Sequence, residues 1–381
     1  NMYFLSLCML IKNESKNLVK TLESVKNIIE SCIMFDTGSE DDTLTILKEW
    51  CEKNNKPLHL KQGIFKDFSY SRNELLDFAD TINSKYLLLM DGNDELKLPE
   101  KFLEYLKQHD SQENPSEGIM LQQCWLTSGI TDKYWNIRCI RNDRGWRYRG
   151  RVHEWISKTN RESDELIKAG VLKAPDDCLL FQDRNADMEK SLPRFHRDKV
   201  LLLEDHYEHP DDPRTMFYLA QTLGSTQDLG DAYYFYKLRT EYDGFQEEVF
   251  HSYLRLGWLA KTLGHPFSES LKWWCQAFAH SHRAEPLNQI AEHYIREHNF
   301  KAAFMYLLQS IRLEYPYESI LFVNRDSYDY MRWHLMGRCA YYIGEYEIGK
   351  KACEEAIRVK NKEVDINNLK FYKEKLNLNK Q

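Results

Sequence analysis

Three short stretches of the 381-residue chain carry residue types that could do chemistry. The first is Asp36-Thr37-Gly38-Ser39, followed by Asp41-Asp42-Thr43. A carboxylate at the end of a strand can accept hydrogen bonds from a base N–H or a ribose hydroxyl, and Gly38 lets the chain turn sharply; helix capping by Ser39 and Asp42 is the alternative role. The second is Asp91-Gly92-Asn93-Asp94-Glu95, which crowds oxygen ligands into one loop. Hard cations such as Mg2+ or Mn2+ take such ligands and can hold a diphosphate, although an Asp/Gly/Asn turn leaving a strand has the same composition. The third is Trp146-Arg147-Tyr148-Arg149-Gly150-Arg151-Val152-His153-Glu154-Trp155, with Arg138 and Arg141 upstream. Here His153 could ligate a metal, Glu154 could act as a base and the arginines could face phosphates; an edge hairpin with a solvated basic face is the plainer reading.

Elements that would position these stretches are legible around them. Strands are expected over Tyr3–Ile11, Ser31–Asp36, Leu58–Leu60 and Tyr86–Met90, with helices over Lys16–Ile29, Asp41–Lys53 and Ser71–Ala79. Such alternation means a mostly parallel sheet covered by helices, with ligands beyond the carboxyl ends of its strands. That places function in the loops Lys12–Glu14, Asp36–Asp42 and Asp91–Glu95. Strands over Gly118–Leu126 and Asn136–Ile140 would make the sheet mixed. A helix is expected over Arg194–Glu208, stopped by Pro210 and Pro213. After Pro213, small residues, aromatics and Gly or Asn turns recur about every 35 to 45 residues, which indicates about four tetratricopeptide-like helical hairpins.

Taken in order, Ser6-Leu7-Cys8-Met9-Leu10-Ile11-Lys12-Asn13-Glu14, Asp36-Thr37-Gly38-Ser39, Ser71-Arg72-Asn73, Leu88-Leu89-Met90-Asp91-Gly92-Asn93-Asp94 and Val152-His153-Glu154 resemble a family 2 glycosyltransferase of the GT-A fold. The resemblance covers residues 3 to 156, and some members that glycosylate peptides carry helical repeats behind the catalytic domain. It implies an α/β GT-A domain at 1–160 with a Rossmann-like, mixed, mostly parallel sheet, a partly helical connector at 161–212 and an all-α tetratricopeptide-like repeat domain at 213–381. It further implies that Asp36 and Arg72 meet the uracil of a UDP-sugar, that Glu14 lies near the nucleoside and that Asp91 sits by the ribose and an Mn2+ or Mg2+ ion. Asn93 stands where the family usually has a second Asp, so Asp94 would have to compensate, and His153 would complete the metal site.

The activity so implied is metal-dependent, inverting transfer of a hexose or N-acetylhexosamine from a UDP-sugar to a hydroxyl or other nucleophile of a glycan or protein. Glu154 is the first candidate base, with Asp132 and Asp143 behind it because they fall in the segment that should flank the acceptor. The rival readings are a non-catalytic repeat scaffold with a degenerate nucleotide-sugar site and a nucleotidyltransferase.

Composition narrows the rest. With 52 basic and 59 acidic residues the formal net charge is −7, so no global field draws the chain to nucleic acid. Nine scattered cysteines, none in a CxxC pair, suggest reduced thiols and a cytoplasmic setting. No run reaches 18 apolar residues, so no membrane span is expected, and Met2 to Ile11 reads as a strand and not a leader. Trp258, Trp273 and Trp333 are expected to fill interhelical space, and His280, His282, His293 and His298 to be scattered and not a metal cluster. Repeat aromatics left exposed would form an acceptor-binding surface or a homodimer interface.

Overall fold

The computed structural model of the chain describes residues 2–127, 130–158, 171–184 and 188–378, which divide into two compact units, 1–226 and 227–381.

In the first unit, β1 (Tyr3–Ile11) is an apolar run buried through its centre, flanked in parallel by β2 (Ser31–Asp36) and β4 (Ser84–Leu89). β3 (Leu58–Gln62) extends the parallel set beyond β2. On the other side of β4 run the long antiparallel pair β7 (Ile130–Arg141) and β6 (Gly118–Thr127), then β11 (Leu179–Asp183) and β5 (Glu95–Leu96). The short β10 (Leu172–Lys173) also pairs with β6. The sheet is therefore mixed and mostly parallel, with order β3-β2-β1-β4-β7-β6-β11-β5.

Two expectations shift here. The segment 161–212, read as a connector, supplies β10 and β11 to the sheet, and the boundary between the units falls after Thr226 rather than before Pro213. Pairing with β6 holds these strands in place, where their own short, polar-flanked sequence carries little period-2 signal.

Helices α1 (Leu18–Val25), α2 (Thr43–Lys53), α3 (Phe68–Asp80) and α4 (Pro99–Asp110) complete the layers. α3 starts three residues before the expected Ser71 because Asp67 caps it, accepting the Tyr70 N–H at 2.7 Å. Leu5, Leu7, Met9, Leu18, Leu22, Leu47, Leu88 and Phe102 build one core. Register brings Ile11 beside Asp36 and Cys8 beside Leu89, so the parallel strands end along one edge of the sheet. The antiparallel hairpin β8 (Trp146–Arg149) and β9 (Trp155–Lys158) forms a separate two-stranded sheet. Helices Met188–Glu208 and Pro213–Ser225 close the unit.

The second unit is all helical. Leu229–Arg239 packs on Gln246–Thr262, which pairs with Phe267–His280. Ala284–Arg296 pairs with Phe300–Arg312, and Arg332–Cys339 with Tyr346–Val359, capped by Glu363–Leu378. Small residues stand at the helix crossings, as the repeat reading requires. A Cβ on Gly257 would lie 2.2 Å from the Trp274 indole nitrogen, and one on Gly349 2.1 Å from the Tyr372 ring. Trp273 is buried, whereas Trp258 and Trp333 are half-buried against their clusters. Of the four histidines, His293 stacks on Phe267 and His280 contacts the Gln246 carbonyl. None belongs to a metal-holding group among the described residues.

Candidate functional site

The carboxyl edge of the sheet gathers the five motifs, the first two through backbone-to-side-chain bonds and the others through close packing and ion pairs. The Asn13 N–H donates to Ser39 Oγ at 3.0 Å, Glu40 N–H to Asn13 Oδ1 at 2.8 Å and Glu14 N–H to Thr43 Oγ1 at 2.7 Å, so the loop after β1 is stitched to the loop after β2. Asp36 is almost fully buried; its carboxylate accepts the Ser39 N–H at 3.1 Å and the Ser39 hydroxyl at 2.6 Å. These bonds close the turn after β2, whereas Asp42, foreseen as a helix cap, makes no side-chain cap bond; no bond joins Asp36 to Arg72 among the described residues. The Asp91 loop packs onto the same place, because a Cβ on Gly92 would lie 2.3 Å from Glu14 Cδ. Glycine is what lets the Glu14 side chain cross there.

At the centre is an ion network. Arg72, on α3, donates from Nη2 to Asp91 Oδ1 at 2.6 Å and from Nε to Glu154 Oε1 at 2.7 Å, with its guanidinium 5.3 Å from the Tyr148 ring centroid. From the opposite side Arg138 donates from both terminal nitrogens to Asp91 Oδ2 at 3.3 Å and reaches Gln123 Oε1 at 3.1 Å. Burial works to raise the Asp91 carboxyl, but the two guanidinium charges outweigh it and hold the group well below the usual carboxylate range. Asp94 points inward and is fully buried. It accepts from Gln123 Nε2 at 2.9 Å, Gln182 Nε2 at 2.7 Å and the Asp91 N–H at 2.8 Å. Burial, helped by the Asp91 charge, pushes its carboxyl up. Tyr148, half-buried beside Arg72, is pushed up to about 12, chiefly by the desolvation of its hydroxyl.

The Ser71-Arg72-Asn73 motif has a second role in the fold. Asn73 clamps the β8 backbone from both directions, donating to the Tyr148 carbonyl at 2.9 Å and accepting the Tyr148 N–H at 2.7 Å. Ser69 donates to the Gly150 carbonyl. α3 therefore docks the hairpin whose turn carries Glu154. The arginines of that hairpin do not form a phosphate-facing row: Arg147 pairs with Asp77 and Asp80, and Arg151 with Glu204, Asp205 and Glu208. Gly150, at φ 84°, and His153, at φ 53°, shape the turn.

The residues expected to hold a metal do not come together around one point. Both Asp91 oxygens receive guanidinium donors and Asp94 faces the interior. The His153 ring stacks on Tyr218 at 4.3 Å. Burial, with the charges of Arg214, Arg194 and Arg184, drives the His153 imidazole down to about 3, so it is neutral at pH 7. Among the described residues no three His, Cys, Asp or Glu side chains form a group that could hold an ion. This arrangement does not fit Mn2+ or Mg2+.

Of the remaining candidates, Asp143 lies in the turn after β7 and its N–H bonds to Asp80. Its neighbour Asn142 bonds to Lys85 near the start of β4, six residues and roughly 20 Å of strand from Asp91. Asp143 is thus at the wrong end of the sheet to act as a base. Asp132 sits in β7 opposite Trp125, and its side chain lies outside the described residues. The residues missed by sequence reasoning are Gln123, Gln182 and Arg138 as a partner of Asp91. Only Arg138 left a signal, as a charge between the apolar Ile137 and Cys139.

Residues 6–116 match the sequence model of "Glycosyl transferase family 2". A TPR repeat-containing protein of Synechococcus elongatus is 35% identical over 151 residues, 40% of this chain and 35% of that protein. The SPbeta prophage-derived glycosyltransferase SunS of Bacillus subtilis is 34% identical over 85 residues, 22% of this chain and 18% of that protein. The chain thus spans about a third or less of the length of these curated relatives. Among solved structures, MamA aligns with a TM-score of 0.35 at 13% identity, over 45% of this chain and 92% of that one. The family resemblance carried by the motifs is therefore matched over the N-terminal domain, and the helical hairpins behind it are tetratricopeptide-like. No helix among the described residues is long and apolar enough to cross a membrane.

Proposed function

We propose that the chain transfers a sugar, a hexose or N-acetylhexosamine, from a UDP-sugar to a nucleophile on a glycan or protein, with inversion at the anomeric carbon. The observation that carries this reading is the convergence of Glu14, Asp91, Arg72 and Glu154 at the carboxyl edge of a sheet whose sequence matches a glycosyl transferase family. The loops after β1, β2 and β4 form the donor side, and the β8–β9 turn, bearing Glu154, the acceptor side. In one displacement the acceptor X–H gives its proton to the Glu154 carboxylate as X bonds to C1. The C1–O bond breaks and the diphosphate leaves with the electron pair. Arg138 places fixed positive charge on the donor side, and Arg72 brings a second guanidinium within reach of that leaving group. The helical repeats would hold the acceptor.

The test is a panel of UDP-, GDP- and dTDP-sugars offered with peptide and glycan acceptors, read by product mass. Transfer from a UDP-sugar is expected, and Glu154→Gln, which keeps shape but cannot take the proton, should lower it by roughly 100- to 10,000-fold. Donor-independent acceptor binding with no transfer from any sugar would favour the scaffold reading instead.

A further inference from the structure

Arg72 faces both sides of the proposed site at once. Its Nη2 holds Asp91, at the end of the donor strand β4, and its Nε holds Glu154, in the turn of the acceptor-side hairpin, 82 residues away in sequence. Side-chain exposures are 12% for Arg72 and 16% for Glu154, so water competes weakly for either bond. With its Nε bond in place, Glu154 is occupied by a charge-assisted partner and is poorly placed to receive an acceptor proton. Asp91 has a second guanidinium, Arg138, on its other oxygen, whereas Glu154 pairs with no second cation among the described residues. The network is therefore asymmetric: Asp91 can lose Arg72 and stay paired, and it is the Glu154 contact whose release changes the chemistry.

We propose that Arg72 is a donor-responsive positioning residue that turns from Glu154 to the diphosphate of a bound nucleotide, freeing Glu154 only when the donor is seated. This rests on the reading of the site as a UDP-sugar pocket. A diphosphate presents several anionic oxygens in the bidentate geometry a guanidinium matches best, so it competes with a single carboxylate oxygen for Arg72. Tyr148, whose ring lies under the guanidinium, offers a surface over which it can swing without being desolvated anew. Arg138, bound to Asp91 and Gln123, stays as the fixed cation. The arrangement imposes an order, donor before acceptor, and withholds the base until the donor is present. Arg72 acts through Glu154 and is not itself a proton carrier. The resemblance gave it to uracil, but its donors are committed elsewhere.

The consequence is measurable with UDP alone. Because Glu154 and the nucleotide compete for one guanidinium, weakening the Glu154 contact should tighten nucleotide binding, the opposite sign from damage to a structural ion pair. Calorimetric titration of UDP into the full chain is expected to show Glu154→Gln binding roughly three- to tenfold more tightly than the unsubstituted protein. Arg72→Lys, which keeps the charge but loses the two-sided fork, should bind more weakly, and adding Glu154→Gln to it should bring no gain. Glu154→Asp, with a shorter reach, should give an intermediate gain and serves if the Gln variant does not fold. Equal or weaker UDP binding by folded Glu154→Gln, or an undiminished gain in the Arg72→Lys background, would overturn the switch while leaving the donor pocket standing. If the unsubstituted chain takes up no UDP, the donor reading falls and the switch with it.

Discussion

Asn73→Ala should loosen the hairpin that carries Glu154 without touching the nucleotide. The native side chain makes two hydrogen bonds to the Tyr148 backbone, at 2.9 and 2.7 Å, both partly buried. Alanine leaves one N–H and one carbonyl facing each other's former partner with nothing in reach. Each unsatisfied buried group costs about 1–3 kcal/mol, and because both groups here are only partly buried the pair should lower the stability of the first unit by about 2 kcal/mol. The hairpin does not come free altogether, since Arg147 and Arg151 still anchor it to Asp77, Asp80 and Asp205. Urea titration followed by Trp fluorescence reads the stability, and transfer rate and UDP affinity are measured on the same preparation. Transfer should fall at least tenfold, because Glu154 loses its position by more than the tolerance of a reacting geometry, while UDP affinity changes less than threefold. A stability change below about 0.5 kcal/mol with normal transfer would show that α3 does not hold the hairpin. A large loss of UDP affinity would make Asn73 a donor contact instead.

Gly92→Ala should push the Glu14 carboxylate aside, since the new Cβ would lie 2.3 Å from Glu14 Cδ, and UDP affinity should fall in calorimetry. The same change on a Glu14→Ala background should be nearly neutral. His153 titrates near 3 when folded and near 6.5 when unfolded, so below pH 6.5 the unfolded chain gains a proton that the folded one refuses. Its contribution is constant above pH 6.5 and is lost toward pH 3 at up to about 1.4 kcal/mol per pH unit. His153→Phe should flatten the urea midpoint against pH in that window, and an unchanged slope would place the ring in water. Mn2+ alone should leave the melting temperature unchanged, because both Asp91 oxygens hold guanidinium partners and Asp94 and His153 are engaged elsewhere; a clear rise would show that these side chains do form an ion site. In the repeats, Glu248→Ala would strand the fully buried Arg239, whose Nη2 it accepts at 3.1 Å; breaking such a pair costs about 3–5 kcal/mol, read by chemical denaturation.

The strands that end at the site were legible because they are apolar runs with clean boundaries: β1 and β2 match the expected Tyr3–Ile11 and Ser31–Asp36. β5, β10 and β11 were not, since strands of two to five residues hold too few side chains to show a period, and their neighbours in the sheet decide them. Asp36, Asp91 and Glu154 could be singled out by type and spacing, and Arg72 by the family resemblance of its motif. Their partners could not, because the Arg72 contact to Glu154 depends on where α3 sets the hairpin and not on any local pattern. The same holds for Asp94, an oxygen ligand by composition but a buried acceptor once Gln123 and Gln182 enclose it.

The central claim is that a nucleotide sits where these loops converge. Hydrogen–deuterium exchange of the full chain, with and without saturating UDP, tests it directly. Protection is expected in the loops 12–14, 36–42 and 91–95 and in the turn 150–154, with GDP giving less. Protection confined to the helices after 227, or none anywhere with UDP bound, would contradict the account.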